Sequence, residues 1–290
     1  MKRSWFVYGL AFVGGITLFF LFLSFVVSAF FLFKGKGSTG PAIGVLEIKG
    51  VILEADKYLK IIRKFEENRD IKAVVIRIDS PGGAVGASQE IYRELKKLRK
   101  IKPVVISMGN VAASGAFYIS LGGKEIFASP GTLTGSIGVI LQIPNIKKLL
   151  EKLGIKTQII KSGAFKDAGS IFKEMSPAEK KYLQSEVDQI HEQFINAVAK
   201  ERKLPLEKVR KIADGRVFNG KEALKYGLVD KLGNFWDAVE EAKKLAHLKK
   251  AQILYYPKKK GFLYNILKSK SKEMYHTLFE FVLKPLYIMQ

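Results

Sequence analysis

Hydrophobic and polar positions divide the chain into three stretches. From Trp5 to Phe33 there is no charged residue, and most positions are Phe, Leu, Val or Gly. A helix of about 29 residues at ~1.5 Å per residue would reach ~43 Å, more than the ~30 Å of a hydrocarbon core requires. A cleaved leader has a shorter apolar region and a small-x-small exit. Here Val27-Ser-Ala29 runs straight into Phe30-Phe-Leu-Phe33, so the pattern predicts an uncleaved single-pass anchor. Lys2 and Arg3 precede it, and Lys34 and Lys36 follow. That near balance leaves the orientation open under the positive-inside rule. Residues 35–41 read as a short flexible linker, which makes 1–41 an anchor-and-linker unit.

The next stretch, 42–250, alternates two periods. Ile43-Gly-Val-Leu-Glu-Ile48 predicts a strand, and Lys57 to Glu67 carries Leu59, Ile62 and Phe65 at helical spacing. Ile71-Lys-Ala-Val-Val-Ile-Arg-Ile78 predicts a largely buried strand leading into Asp79-Ser-Pro-Gly-Gly83. An amphipathic helix then runs to about Lys100 with Ile91, Leu95 and Leu98 on one face. Pro103 to Met108 predicts a third strand, and Ile126 to Ser129 a fourth. The β-α-β-α-β order implies an α/β domain with a mostly parallel sheet covered by helices. Farther on, 177–203 and 236–248 predict amphipathic helices.

The last stretch, 251–290, is a basic amphipathic tail. Lys258-Lys-Lys260, Lys268, Lys270 and Lys272 interleave with Phe262, Leu263, Tyr264, Ile266, Leu267 and Tyr275. The pattern fits a helix on anionic lipid or a solvated basic tail.

Composition narrows the chemistry. The formal charge of +22 over 290 residues calls for an anionic neighbour. Nucleic acid, anionic lipid and acidic substrates all qualify, but no nucleic-acid recognition motif is present, and a bilayer accounts for the charge equally well. The chain contains no cysteine, which excludes disulfides, thiol chemistry and cysteine-ligated zinc. Its three histidines, His191, His247 and His276, are not paired at a ligand spacing. No metal, nucleotide or other cofactor is expected.

Candidate chemistry gathers at two loops. Asn110-Val-Ala-Ala-Ser-Gly-Ala-Phe-Tyr-Ile-Ser120 follows the third strand and reads as a strand–turn–helix joint. Its small residues clear space around Ser114, and a helix starting there would turn free N–H groups toward the hydroxyl. Taken alone, the segment reads as a serine cap in a packing joint. The Pro81-Gly-Gly83 loop falls at the carboxyl end of the neighbouring strand, the edge at which open α/β sheets hold their sites. Together the two loops predict an oxyanion site with the N–H groups of Gly83 and Gly115 as donors.

A serine nucleophile needs a base. His191 lies on a strongly periodic helix, and His247 and His276 lie in basic stretches without turn context. A lysine must be neutral to serve, its usual pKa of about 10.4 lowered by desolvation or nearby positive charge. Lys166, in Lys161-Ser-Gly-Ala-Phe-Lys-Asp-Ala-Gly-Ser170, has the small neighbours that close packing requires.

These segments resemble the signal peptide peptidase A family in its short form. The resemblance rests on Asp79-Ser-Pro-Gly-Gly83, Asn110-Val-Ala-Ala-Ser-Gly115, Thr134-Gly-Ser-Ile-Gly-Val139 and Lys161-Ser-Gly-Ala-Phe-Lys-Asp-Ala168. Gly215-Arg-Val-Phe-Asn-Gly-Lys-Glu-Ala223 and Gly227-Leu-Val-Asp-Lys-Leu-Gly233 extend it across most of the soluble chain. The resemblance implies a Clp protease/crotonase-like fold of repeated β-β-α units. It also implies a membrane-anchored serine endopeptidase with Ser114 as nucleophile, Lys166 as general base, and Gly83 and Gly115 as oxyanion donors. Ser136 would orient the lysine amine. Apolar peptides, chiefly remnant signal peptides, would be the substrates. The domain would lie on the extracytoplasmic side of the cell membrane in a homo-oligomer, and the resemblance leaves open whether the dyad is completed within one protomer or across two.

Besides nucleic-acid binding, weighed above, two rivals and one decoy stand beside this. A crotonase acting on acyl-CoA shares the oxyanion chemistry but leaves the serine, lysine and anchor unexplained. A non-catalytic membrane scaffold of the same fold would survive loss of Ser114. Gly215-x-x-x-x-Gly220-Lys221 has phosphate-loop spacing, but Glu222 stands where a magnesium-binding hydroxyl belongs, so it reads as structural.

Overall fold

The structure is a computed structural model that describes residues 2–34 and 40–257. The basic tail beyond 257 and linker residues 35–39 lie outside the described residues. The chain divides into two compact units, 1–41 and 42–290.

The first unit is one helix, α1 (Lys2–Lys34). Its window Ala11–Ala29 has a mean hydropathy of 2.3, and among the described residues it is the one helix long and apolar enough to cross a membrane.

The second unit is built on a sheet in the order β6-β5-β3-β2-β1-β8. Its central strands are β1 (Ala42–Lys49), β2 (Ile71–Ser80) and β3 (Val104–Ala113), with β8 (Gln252–Tyr256) parallel to β1. β3 divides its free edge. Its amino half pairs with β4 (Glu125–Ala128), and its carboxyl half pairs with β5 (Leu133–Gly135). β4 continues to β7 (Lys231–Leu232), and β5 to the antiparallel β6 (Val217–Asn219).

The apolar run of the central strands is explained by burial on both faces. Side chains alternate along a strand, so Leu46, Ile48, Val74, Ile76 and Ile78 enter the larger core. Ile43, Val45, Ala73 and Val75 enter the smaller core on the other face. The helices on the large face include α2 (Asp56–Glu67), through Tyr58, Ile62 and Phe65, and α3 (Val85–Leu98), through Ile91, Leu95 and Leu98. Each such buried side chain contributes roughly 1.5–3 kcal/mol. Gly44 makes room for Phe65, whose ring lies 2.8 Å from where a Cβ would sit. The small face is closed by α9 (Phe235–Leu245) through Ala238, Val239 and Ala242.

The long helix α6 (Pro177–Arg202) starts at a capping box, Ser176 with Glu179, with Pro at its first turn. Phe194, Ile195 and Val198 bury its carboxyl half in the core, while Tyr182 near its start is exposed. Between β5 and α6 the only helix is α5 (Lys147–Lys152). The order is completed by α4 (Gly115–Ser120), α7 (Leu206–Arg210) and α8 (Gly220–Tyr226). The stretch read as tail from 251 begins with β8, which adds a strand beside β1.

Candidate active site

The site begins where β2 ends. Ile52 makes a parallel bridge to Gly83, donating to the Gly82 carbonyl at 2.9 Å and accepting from Ala84 N–H at 2.7 Å. That pattern leaves the N–H of Gly83 facing away from Ile52. A Cβ on Gly83 would lie 2.0 Å from the Ile52 oxygen, so glycine is required. Ser80 is buried, and its Oγ accepts the Gly82 N–H at 3.1 Å.

The neighbouring strand carries the serine. β3 follows β2 in register to Met108 opposite Ile78, then slips, so that Ala112 faces Ser80. The extra residues are tied down from both sides. Asp79 accepts Val111 N–H at 3.1 Å and Asn110 Nδ2 at 3.2 Å. Thr132 and Thr134 donate their hydroxyls to the carbonyls of Gly109 at 2.7 Å and Ala112 at 2.6 Å.

Ser114 follows at φ 52° and ψ −124°. A positive φ on a non-glycine residue costs of order 1–3 kcal/mol and persists only when its surroundings over-determine it. Here the Ser114 N–H donates to Gly135 O at 2.9 Å, and its carbonyl accepts Tyr118 N–H at 2.9 Å. Gly115 opens α4, so its N–H has no partner within the helix. A Cβ on Gly115 would lie 2.4 Å from Ser88 Oγ and 3.3 Å from Gly83 N. The Gly83 nitrogen and the Gly115 backbone therefore lie close together, and both line the cleft that Ser114 lines.

Two clefts meet at Ser114. One also touches Gly83 and Gly115 and is walled by Val85, Tyr118, Val139, Ile190 and Phe194. The other, of about 460 Å³, is lined by Ser136, Ile140, Val187, Asp188, His191 and Asp214. Ser136 also has a positive φ of 49° and is held by its N–H on Arg216 O at 2.8 Å. The His191 Nε2 lies 3.2 Å from Ile137 O, so that ring nitrogen is engaged with the backbone.

Lys166 stands elsewhere. It is exposed and lines neither cleft. Its loop folds on the first turns of α6, with the Phe165 and Tyr182 rings 5.1 Å apart. The adjacent Asp167 is held by Lys161 and, at 2.9 Å, by Lys173, which also pairs with Glu179. Hydrogen bonds from Lys161 and Lys173 pull the Asp167 carboxyl down to about 2. Thus Ser114, Gly83, Gly115 and Ser136 share a site within one chain, and Lys166 is not part of it.

Sequence reasoning missed Ile52, whose bridge aims Gly83, and the α6 wall formed by Ile190 and Phe194. The helical stripe containing both residues was legible, but which part of it would meet the cleft was not. Among the described residues no group of His, Asp and Glu is arranged to hold a metal ion.

Similarity to known proteins gives the family. The model of peptidase family S49 matches residues 96–249, and that of Clp protease matches 53–133, which span the two loops around Ser114. A Synechocystis sp. chain named provisionally a protease is 46% identical over 215 residues, 73% of this chain and 77% of its own length. An Enterococcus faecium chain, named provisionally a signal peptide peptidase, is 37% identical over 235 residues, 76% of this chain and 68% of its own. A solved mutant of a membrane-bound stomatin-specific protease overlaps with a TM-score of 0.47 at 20% identity, covering 74% of this chain and 97% of its own. The fold is Clp protease-like, and the chain belongs to peptidase family S49.

Proposed function

We propose that the protein is a membrane-anchored serine endopeptidase in which Ser114 is the nucleophile and Lys166 the general base. The observation that carries this reading is the strained Ser114 in one cleft with the closely placed backbones of Gly83 and Gly115. In the reaction, neutral Lys166 takes the proton as Ser114 Oγ attacks a peptide carbonyl. The two N–H groups hold the oxyanion, an interaction whose loss costs roughly 10²–10³ in rate. Protonated Lys166 returns its proton to the leaving amine, and water hydrolyses the acyl-enzyme. Ser136, in the second cleft, orients the amine.

Because Lys166 lies outside the clefts of its own chain, the base comes from a neighbouring protomer. Exposed Ile140, Leu153, Ile155, Ile160 and Phe172 flank the lysine loop, the kind of apolar surface that subunit contacts cover. The apolar wall of Val85, Val139, Ile190 and Phe194 suits apolar peptides, and remnant signal peptides are the class we assign. The chain is anchored by α1 in the cell membrane, with the peptidase domain running from 42 through β8 on the extracytoplasmic side.

The test is hydrolysis of a fluorogenic apolar peptide by the full chain in detergent. Wild type, Ser114→Ala and Lys166→Ala are compared, with folding and assembly size checked. Each variant alone should lose at least about a thousandfold, and mixing the two during assembly should restore part of the activity. Retained activity in Lys166→Ala would remove the dyad. A folded, assembled wild type without hydrolysis would favour a scaffold.

A further inference from the structure

Helix α6 is anchored in the domain near its two ends. Glu179 closes the capping box, and Phe194, Ile195 and Val198 enter the core, but no residue from 180 to 193 is buried. That unburied middle is where the helix meets the site: Ile190 walls the first cleft, and Val187, Asp188 and His191 line the second. Core packing therefore does little to fix its distance from Ser114. Across the clefts stands the loop 136–139. Ser136 lines the second cleft, and Gly138 and Val139 line both. Backbone groups of 215–216 seat this loop from one side. Ser136 N–H donates to Arg216 O at 2.8 Å, Gly215 N–H donates to Ile137 O at 3.2 Å, and a Cβ on Gly138 would lie 3.2 Å from Gly215 Cα. From the α6 side the loop is met by His191, whose Nε2 lies 3.2 Å from the same Ile137 oxygen. Among the described residues this is the one hydrogen bond from α6 to 136–139. A carbonyl can only accept, so Nε2 carries the proton. A nitrogen donating there is not free to receive the proton of Ser114.

We propose that His191 is a positioning residue: through the Ile137 carbonyl it fixes the loop that carries Ser136, and so the direction of the Ser136 hydroxyl. The proposal rests on the peptidase reading above, in which that hydroxyl orients the lysine amine. Ser136 sits at φ 49° directly after Gly135 at φ 78°, and a non-glycine residue keeps such a conformation only when its surroundings over-determine it. The residues on both sides of Ser136 supply that restraint. Gly135 O accepts Ser114 N–H at 2.9 Å, which ties the loop to the nucleophile, and Ile137 O takes His191, which ties it to the α6 wall. Ile137 is buried, so water does not readily replace a partner lost from its carbonyl. Without His191 the loop keeps its contacts to 215–216 but loses its hold on α6, and the Ser136 hydroxyl can turn away from the amine. Misplacing a group by about 1 Å can cost roughly 10²-fold in rate, so the effect belongs in kcat.

Side-chain length separates the hydrogen bond from the imidazole. The amide nitrogen of glutamine is as many bonds from Cα as Nε2 is in histidine, and that of asparagine is one bond nearer. Glutamine also donates without acting as a base. The full chain in detergent is compared with His191→Ala, His191→Asn and His191→Gln by hydrolysis of a fluorogenic apolar peptide and by amide exchange over 135–139. Folding and assembly size are checked in each. The proposal expects His191→Ala and His191→Asn to lose roughly tenfold in kcat with KM within about twofold, and to exchange the 135–139 amides several-fold faster. His191→Gln should recover most of both properties. A folded His191→Gln chain as slow as His191→Ala overturns the proposal, because a donor at that position then does not suffice. Full kcat in His191→Ala overturns it as well. Unchanged exchange in His191→Ala removes the tie itself, with no appeal to catalysis. A folded, assembled wild type that hydrolyses nothing instead fails the peptidase reading and with it the role in kcat, and exchange then decides the tie alone.

Discussion

Asp79 accepts the backbone N–H of Val111 at 3.1 Å and thereby ties the Pro-Gly-Gly loop to the strand that ends in the candidate nucleophile. Its second oxygen takes Asn110 Nδ2 at 3.2 Å, and Gly109 packs so closely that a Cβ there would meet Asp79 Cγ at 2.8 Å. One carboxylate therefore sets the spacing between the Pro-Gly-Gly loop and Ser114. Hydrogen bonds to a charged group contribute roughly 1.5–3 kcal/mol each. Asp79→Ala should lower stability by about 2 kcal/mol and reduce kcat more than it changes KM. Thermal unfolding and peptide hydrolysis would check this. Unchanged kcat in a destabilised variant would show that the tie serves the fold alone.

Gly115 separates packing from chemistry. Alanine there would place a methyl 2.4 Å from Ser88 Oγ, an overpacking worth roughly 1–3 kcal/mol. Ser88→Ala removes that atom, so the double variant should regain most of the lost stability. The methyl would still stand 3.3 Å from Gly83 N, one of the two proposed donors. Activity should remain about 10²-fold low. Recovery of activity along with stability would argue against an oxyanion role for this pair.

The sequence carried the sheet and its glycines well, because their physics is local. Two-sided burial writes itself as Ala73-Val-Val-Ile76, and the α3 stripe of Ile91, Leu95 and Leu98 is buried as its spacing requires. Gly83 and Gly115 stand out because no side chain fits there. Long-range partners were not legible. Nothing in the run from Gln252 to Tyr256 marks it as a neighbour of β1 rather than the start of a tail, since its partner lies some two hundred residues earlier. The lysine loop is held by ion pairs and a ring contact rather than by a periodic pattern, so motif spacing alone could not place Lys166 relative to Ser114.

Glu201 joins α6 to α3, and its side chain is 6% exposed. Burial alone would push its carboxyl up, but hydrogen bonds from Lys96, Arg99 and Tyr92 outweigh this and hold it down at about 2. An unfolded glutamate titrates near 4.5, so the folded state binds the proton less readily. Stability from this group is complete above about pH 4.5 and is lost as pH falls toward 2. The expected size is about 2 kcal/mol after allowance for solvent screening. Denaturant unfolding at a series of pH values should show a shallower acid decline in Glu201→Gln, from a lower plateau. An identical pH slope in both proteins would exclude Glu201 as the source.

Asp167 is the last case, because it neighbours the proposed base without pairing with it. Its two oxygens are taken by Lys161 and Lys173. Lys173 continues to Glu179, which caps α6 with Ser176. This chain of charges anchors the loop and leaves Lys166 with no carboxylate partner among the described residues. With its carboxyl held at about 2, Asp167 stays ionised throughout the neutral range, so loop order should be independent of pH there. Asp167→Asn removes the charge at a surface site, where single ion pairs contribute little to global stability. The melting temperature should therefore barely move, while amide exchange in 161–173 accelerates and kcat falls by roughly tenfold through lost orientation. Lys173→Met should act in the same direction, since it frees one Asp167 oxygen and uncouples the loop from Glu179. If Asp167→Asn speeds amide exchange but leaves kcat intact, the position of Lys166 does not depend on this clamp. If neither property changes, the clamp does not hold the loop at all.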